Sequence, residues 1–442
     1  MTKTNRLTIL ILLTTLFLTT ASHGQHPEQK MSYKQIKLLV DSLCASMNRE
    51  YVYPDKAVLM SNNLKSELKK GSYNKAKNNF DLGILLSNDM QQVFKDSHLS
   101  IRFDPQLATQ LETPWQTMTE AERQQQYQMD VKGAQEGNFA FKRTERLSGN
   151  IGYVRWDGFV PLVDEAKSTI DAAFKFVSNC RAIIIDMRYN SGGSPDMVLQ
   201  IQNYFFNQKV SMNEIISRSN DTLKRLTDPS KTDFKLNMPV YILTSRRSFS
   251  GAEDFTFGMQ YNKRATVVGD TTGGGAHPTG SYSMGQGFVA FIPNSRAPIE
   301  KDWEGKGILP NVAVPSEQAL TKTQILIFTE LLSKTKDEKV QNMCKWNINS
   351  LQSEIVKIPN TVVLGSYTGV YEGGLDFYFK DNQLFCKNAE NGNLVTELKY
   401  VDNNLFMLDD NVQVLFEKNS SGTYSQIKML WKNGTIEERR RQ

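Results

Sequence analysis

The reactive side chains of this sequence fall in a few short segments. Around Ser250 the chain reads TSRRSFSGAEDFTFGMQ (244–260), with small Gly251 and Ala252 directly after the serine. Apolar β-formers at Val240–Thr244 precede it and helical spacing over Gly251–Tyr261 follows, so Ser250 is expected at a strand-to-helix junction. There a hydroxyl lies beside the unpaired N–H groups of a helix start, where the dipole favours developing negative charge, and Gly251 lets a carbonyl approach the backbone. This is a setting for a nucleophile. The same residues also read as a helix cap, with Ser248 or Ser250 capping and Glu253 closing a capping box.

A second loop bears on that choice. Ala182–Asp186 is a continuous apolar run ending in an acid, and it passes through Met187-Arg188-Tyr189-Asn190-Ser191 into Gly192-Gly193-Ser194. Glycines at the carboxyl end of a parallel strand expose backbone N–H groups to the crevice where open α/β sheets carry their sites. Gly192 or Gly193, with Gly251, can thus build an oxyanion hole. Asp186 and Arg188 are expected to brace this loop, and Asp254 to complement the helix dipole. Neither glycine loop matches a phosphate-binding fingerprint in its proper strand–helix context.

A serine nucleophile needs a base near neutrality, and an imidazole with an unperturbed pKa of about 6.5 supplies one. The sequence has four histidines. His23 and His26 follow the apolar leader, which leaves His98 in DSHLSIRF (96–103) and His277 in GGGAHP (273–278). An ordinary histidine base predicts that hydrolysis falls on the acid side near pH 6 to 7. His277 and Gly274, on a glycine loop, are candidate substrate contacts, although His277 also reads as a turn residue before Pro278. Lys263 and Lys306 could serve as bases only if burial lowered their pKa by several units. No His/Cys pair has metal-ligand spacing, so neither a metal nor an organic cofactor is expected. Cys44, Cys180, Cys344 and Cys386 lie far apart and read as buried thiols.

The elements that position these groups follow from periodicity. Lys3 and Arg6, the apolar run Leu7–Leu18 and small or polar residues to Gly24 form a secretory signal pattern over residues 1–24, and export to the periplasm or exterior is expected. Residues 25–95 carry helical spacing (Ile36, Val40, Leu43, Met47; Leu59, Leu64, Leu68) broken at Tyr53-Pro54. Residues 96–320 alternate strands with helices, including Ile151–Trp156, Val163–Val177, Pro195–Phe206 and Ala265–Val268, which argues for an α/β core with a largely parallel portion. Residues 321–358 read as a helical linker. Residues 359–442 are short β-runs between turns such as Glu372-Gly373-Gly374, Asn391-Gly392 and Asn433-Gly434, and predict a small barrel or strongly bent sheet. The net charge of +5 over 442 residues lacks the basic stripe of a nucleic-acid binder, and Arg439-Arg440-Arg441 reads as a solvated end.

The segments IIIDMRYNSGG (183–193), SFSGAEDFTFGMQ (248–260), VVGDTTGGG (267–275) and EGKGILPNVAV (304–314), in this order, resemble the serine peptidase family that holds the C-terminal processing proteases, the tricorn core and interphotoreceptor retinoid-binding protein. With DSHLSIRF and the helical lead-in, the resemblance runs over residues 32 to 320. It is closest to the retinoid-binding-protein-like and tricorn-like branch, since the processing proteases usually carry a PDZ module and too few residues separate Phe103 from Ile151 to hold one. It implies a ClpP/crotonase-like α/β core, with a helical lead-in and a C-terminal all-β module. Processing proteases carry a lysine base where this chain has Gly275. Tricorn-like members instead use a Ser-His pair, a nucleophilic serine and a distal glutamate, matched here by Ser97-His98, Ser250 and Glu304. The resemblance therefore implies an endopeptidase acting on peptides or proteins, with Ser250 as nucleophile, His98 as base, and Ser97 with Glu304 orienting that base. A retinoid-binding-protein-like protein that binds hydrophobic ligands through a silent site is the alternative, and an esterase or amidase would share the same nucleophile.

Overall fold

The computed structural model of the protein describes residues 30–112, 117–298, 301–359 and 362–442. The leader expected over 1–24 lies outside them. The chain divides into two compact units, one reaching Arg146 and resuming over Gly152–Ala313, the other made of Leu147–Ile151 and Val314–Gln442.

The first unit opens with helices α1 (Tyr33–Glu50), α2 (Pro54–Lys69) and α3 (Asn79–Val93). A capping box between Ser32 and Gln35 starts α1, Pro54 occupies the first turn of α2, and the Asn78 side chain caps α3. Their apolar faces (Leu39, Leu43, Met47, Leu64, Leu86, Met90) form one core with Ile101, Phe288, Ala290 and Ile292. Those last residues belong to an antiparallel sheet of β1 (Ser100–Phe103), β9 (Thr279–Gly285) and β10 (Phe288–Pro293), with β10 in the middle. Between them run α4 (Pro105–Glu112) and α5 (Glu120–Glu136). Helix α5 is rich in Gln and Glu. It buries no residue and is started by a Thr119–Glu122 capping box.

The central sheet has β2 (Phe141–Leu147), β3 (Ile151–Trp156), β4 (Ala182–Asp186), β7 (Val240–Thr244), β8 (Ala265–Gly269) and β12 (Val312–Ala313), in the order β12-β8-β7-β4-β3-β2. The pairs β4/β7, β7/β8 and β8/β12 are parallel. Strands β4 and β7 are buried throughout, which explains their unbroken apolar runs. Helices α6 (Val163–Val177), α7 (Pro195–Gln202) and α8 (Gly251–Tyr261) cross between strands. Helix α6 buries Ala166, Ile170, Phe174 and Val177, the larger of these side chains contributing about 1.5–3 kcal/mol each. The helix expected to Phe206 ends at Gln202 and tightens into a 3-10 turn over Asn203–Phe205. Short strands β5 (Ile215–Ser217), β6 (Thr222–Leu223) and β11 (Ser295–Arg296) form a third sheet.

In the second unit α9 (Ala319–Lys334) and α10 (Glu338–Ile355) pack together, and an eight-stranded antiparallel meander follows: β13 (Gly369–Tyr371), β14 (Leu375–Lys380), β15 (Gln383–Asn388), β16 (Leu394–Asp402), β17 (Leu405–Met407), β18 (Val412–Lys418), β19 (Tyr424–Trp431) and β20 (Ile436–Arg440). The helices expected as a linker belong to this unit, because α10 packs on β16 and β17 and Trp346 is buried against Val401 and Met407. The arginine tail is solvated as expected at Arg440 and Arg441, but its backbone is paired. Arg439 and Arg440 lie in β20, and Arg441 bridges Tyr371, so the last strand meets the first and nearly closes the sheet. Its interior is filled by Tyr367, Tyr371, Phe377, Phe406, Phe416 and Tyr424. The four cysteines are buried and form no disulfide.

Candidate active site

Strand β7 delivers the chain to a tight turn, and Ser250 ends it at the start of α8 with φ 54° and ψ −116°. A serine at positive φ costs of order 1–3 kcal/mol and persists only where its surroundings over-determine it. Here they do. The Phe249 N–H donates to the Asn190 carbonyl at 3.1 Å, the Ser250 N–H to Glu253 Oε2 at 2.8 Å, and the Gly273 N–H to the Ser248 carbonyl at 2.9 Å. Ser248 is fully buried, its hydroxyl donating to the Met187 carbonyl at 2.8 Å and accepting from the Ser245 N–H at 3.0 Å. Ser248 is thus a structural hydroxyl, whereas Ser250 is half-buried at the turn's apex.

The loop after β4 packs on this apex. A Cβ on Gly192 would lie 2.6 Å from the Gly251 nitrogen and 2.8 Å from Ser250 Cβ, and one on Gly251 would lie 3.0 Å from the Gly193 nitrogen. Only glycines permit that approach, and Gly192 and Gly193 hold φ of 101° and 134°. The Gly192 N–H, however, donates to Asn190 Oδ1 at 2.8 Å, so of the two loop glycines Gly193 is the one whose N–H is not committed in this way. Asp186 braces the loop as expected, binding Arg188 through both oxygens (2.9 and 2.7 Å) and accepting from the Tyr153 hydroxyl at 2.6 Å. Asp254 pairs with Arg225 at 2.5 Å.

Glu253 ties the Ser250 turn to the loop Thr272–Gly275. Fully buried, it accepts from the Thr272 hydroxyl (2.5 Å) and from the N–H groups of Gly274 (2.7 Å), Gly275 (2.7 Å) and Ser250. Burial raises its pKa, and these donors oppose the rise. Gly275 leaves no space for a Cβ unless its neighbours move. A Cβ there would stand 2.5 Å from His98 Cε1 and 2.4 Å from Phe249 Cζ. The rings of His98 and Phe249 pack with centroids 4.6 Å apart, which puts the imidazole beside the residue that precedes Ser250.

Behind His98 lies a cluster of acids. Asp96, fully buried, accepts from the His98 N–H (3.1 Å) through Oδ1, and from the Tyr51 hydroxyl (2.9 Å) and His277 Nδ1 (2.8 Å) through Oδ2. Glu304 accepts from the Ser97 N–H at 2.7 Å and the Ala276 N–H at 2.6 Å. Glu304 thus meets Ser97 through the main chain, and His98 Nδ1 is enclosed without a hydrogen-bond partner among the described residues. Burial lowers the His98 pKa to about 4, with Asp96 pulling it up and His277 down. For His277 burial also acts downward, but Asp302, Asp96 and Glu304 outweigh it and raise the imidazole to about 10. Burial raises the Glu304 carboxyl, and Asp96 adds to the rise.

Asp96, His98 and Glu304 each offer a metal-ligand atom, all within 4.8 Å of one another. Every carboxylate oxygen in this set already accepts an N–H or O–H, so an ion would have to displace those donors. Lys263 and Lys306 are exposed, with nothing to strip their solvation. The first unit therefore gathers Ser97, His98, Ser250, Gly251, Gly192, Gly193, Gly274, His277 and Glu304 into connected loops. Sequence reasoning missed Asp96, Tyr51, Asp302 and the bracing role of Glu253. Only Asp96 carried a signal, as the acid two residues before His98.

Comparison with known proteins places these loops in a family. Residues 150–314 match peptidase family S41, and residues 32–132 match the N-terminal domain of peptidase S41 in eukaryotic IRBP. The chain belongs to peptidase family S41. Among curated relatives, the carboxy-terminal-processing protease of Bartonella bacilliformis is 23% identical over 177 residues, covering 38% of this chain and 40% of that protein. The chloroplastic carboxyl-terminal-processing peptidase 2 of Arabidopsis thaliana is 25% identical over 172 residues, covering 38% of this chain and 32% of that protein. The aligned regions thus span well under half the length of these relatives. The solved photosystem II D1 C-terminal processing protease matches with TM-score 0.42 at 13% identity, over 65% of this chain and 94% of its own. The tricorn protease matches with TM-score 0.42 at 12% identity, over 73% and 37%.

Proposed function

We propose that the protein is an exported serine endopeptidase that cleaves peptide bonds by acyl transfer through Ser250. The observation that carries this reading is the strained Ser250 turn, pressed between the Gly193–Gly251 backbone and the His98–Phe249 ring pair. Ser250 Oγ attacks the peptide carbonyl carbon while His98 takes the hydroxyl proton. With Nδ1 buried and without a hydrogen-bond partner among the described residues, Nε2 is the nitrogen that exchanges it. The Gly251 and Gly193 N–H groups receive the oxyanion, each donor contributing about 3 kcal/mol to the transition state. The C–N bond breaks as His98 returns the proton to the leaving amine. Water then attacks the acyl ester by the same route, releasing the acid and restoring Ser250. Asp96 and Glu304 hold the His98 loop and favour the imidazolium that forms between the two transfers. Export rests on the leader pattern of residues 1–24, and no helix among the described residues is long and apolar enough to cross a membrane.

The test is hydrolysis of a quenched fluorescent peptide library by three forms of the protein. Ser250→Ala should lose activity by at least about 10³-fold, while Ser248→Ala should keep the Ser250 reaction at reduced stability. Residual activity in Ser250→Ala within tenfold of wild type would refute the assignment, and a folded wild type that cleaves nothing would favour a silent binding protein.

A further inference from the structure

His277 takes no part in the proton transfers proposed above, yet it is among the most constrained side chains of the site. It is 2% exposed, and both its ring nitrogens lie near carboxylates: Nδ1 is 2.8 Å from Asp96 Oδ2 and 3.7 Å from Glu304 Oε2, and Nε2, without a hydrogen-bond partner among the described residues, is 3.5 Å from Asp302 Oδ2. A neutral imidazole has one N–H and one lone pair, so one nitrogen would present its lone pair to a carboxylate oxygen in a buried space. Only the imidazolium has a donor for each side.

What His277 holds is the base's own loop. Asp96 Oδ2 is shared by His277 and Tyr51, Asp96 Oδ1 receives the His98 N–H, and Gln91 takes the Asp96 N–H at 3.0 Å and its carbonyl at 2.5 Å. The Asp96-Ser97-His98 turn is therefore fixed at each end, with His277 paired against the buried Asp96 carboxylate. An unpaired charge there would be strongly destabilising. The charged and titratable groups facing His277 are Tyr51 and Tyr53 from the α1–α2 connection, Asp96 and His98 from the α3–β1 connection, and Asp302 and Glu304 from the segment before β12. Arg296 and Lys306 act on Tyr53 and Asp302 from farther away.

We propose that His277 is a positioning residue for the catalytic base: a permanent imidazolium that clamps Asp96, through it the main chain of His98, and keeps the His98 ring neutral and ready to accept a proton. The role rests on the reading of His98 as base. The distribution of charge supports it: burial is the main cause of the low His98 proton affinity, Asp96 opposes it, and His277 adds to the lowering.

The experiment is an imidazole nitrogen titration by NMR on the intact ¹⁵N-labelled protein, with kcat/KM against pH for wild type and His277→Gln. In the wild type both His277 nitrogens should stay protonated from pH 5 to 9, while the His98 ring stays neutral. In His277→Gln the His98 midpoint, and the acid limb of kcat/KM with it, should rise by about one pH unit or more. An ordinary His277 midpoint below pH 7.5 overturns the proposal, even where the variant does not fold. So does a uniform loss of kcat in His277→Gln with His98 titrating where it does in wild type, which is the signature of a merely structural residue. The NMR arm needs no turnover, so a protein without hydrolysis would sink the peptidase reading and leave the clamp to be judged on its own.

Discussion

Replacing Gly275 by alanine inserts one methyl group into the contact between His98 and the Ser250 turn. The backbone of Gly275 does not lie in the left-handed region, so alanine suits its conformation. The strain is confined to the two rings that the new Cβ would meet, His98 Cε1 at 2.5 Å and Phe249 Cζ at 2.4 Å. Carbon atoms pack at about 3.5 Å, so each ring must retreat by about 1 Å. Phe249 has little room, because its main chain is pinned to Asn190 and its ring edge also lies against Gly273. His98 is the freer of the two, held by its own N–H and by no side-chain hydrogen bond among the described residues. A displacement of 1 Å between a base and its nucleophile costs about 10²-fold in rate, or about 2.7 kcal/mol of transition-state stabilisation. Steady-state kinetics with a fluorogenic peptide, beside thermal unfolding, should show kcat down about 100-fold with KM little changed and stability lowered by about 1–3 kcal/mol through overpacking. Activity of Gly275→Ala within threefold of wild type would refute the placement of the base. Gly275→Lys should be at least as inactive, because a lysine there must expel His98.

The remaining expectations concern pH and the buried brace. Because burial lowers His98 to about 4, and protonation removes the base, kcat/KM should hold from pH 8 to about 5 and fall only as pH drops through about 4; a limb at 6 to 7 would show that His98 titrates as an ordinary imidazole. Glu253→Gln turns one of two doubly engaged oxygens into a donor facing N–H groups, so urea unfolding should show a loss of about 2–4 kcal/mol. A loss below about 1 kcal/mol would mean that the glycine loop is held by something else.

The parallel core was legible because strands such as Ala182–Asp186 and Val240–Thr244 are buried on both faces and read as unbroken apolar runs with helices between. The glycine turns of the second unit announced its strands in the same way. The β9–β10 hairpin was not legible. Thr279–Gly285 is rich in Gly and Ser, and its turn at Gly285-Gln286-Gly287 lacks an apolar alternation on the first strand. The nucleophile turn, the glycine loops and the His98 segment could be picked out as motifs, but their relation to each other lay in long-range contacts. Glu253 read equally well as the closing half of a capping box, and in the fold it both caps Ser250 and carries the loop of Gly274 and Gly275. The acid-side expectation near pH 6 to 7 also shifts for a reason the sequence did not carry, since it assumed a solvated imidazole and His98 is partly buried, with its ring against Phe249 and its Nδ1 shut off from solvent.

The most direct measurement is covalent labelling with a fluorophosphonate probe, read by mass spectrometry of the modified peptide. The wild type should carry one phosphonyl adduct on Ser250 at pH 7, Ser250→Ala none, and His98→Ala an adduct formed at least about 10³-fold more slowly. Labelling that persists in Ser250→Ala, or a folded wild type that takes up no probe, would contradict Ser250 as an activated nucleophile.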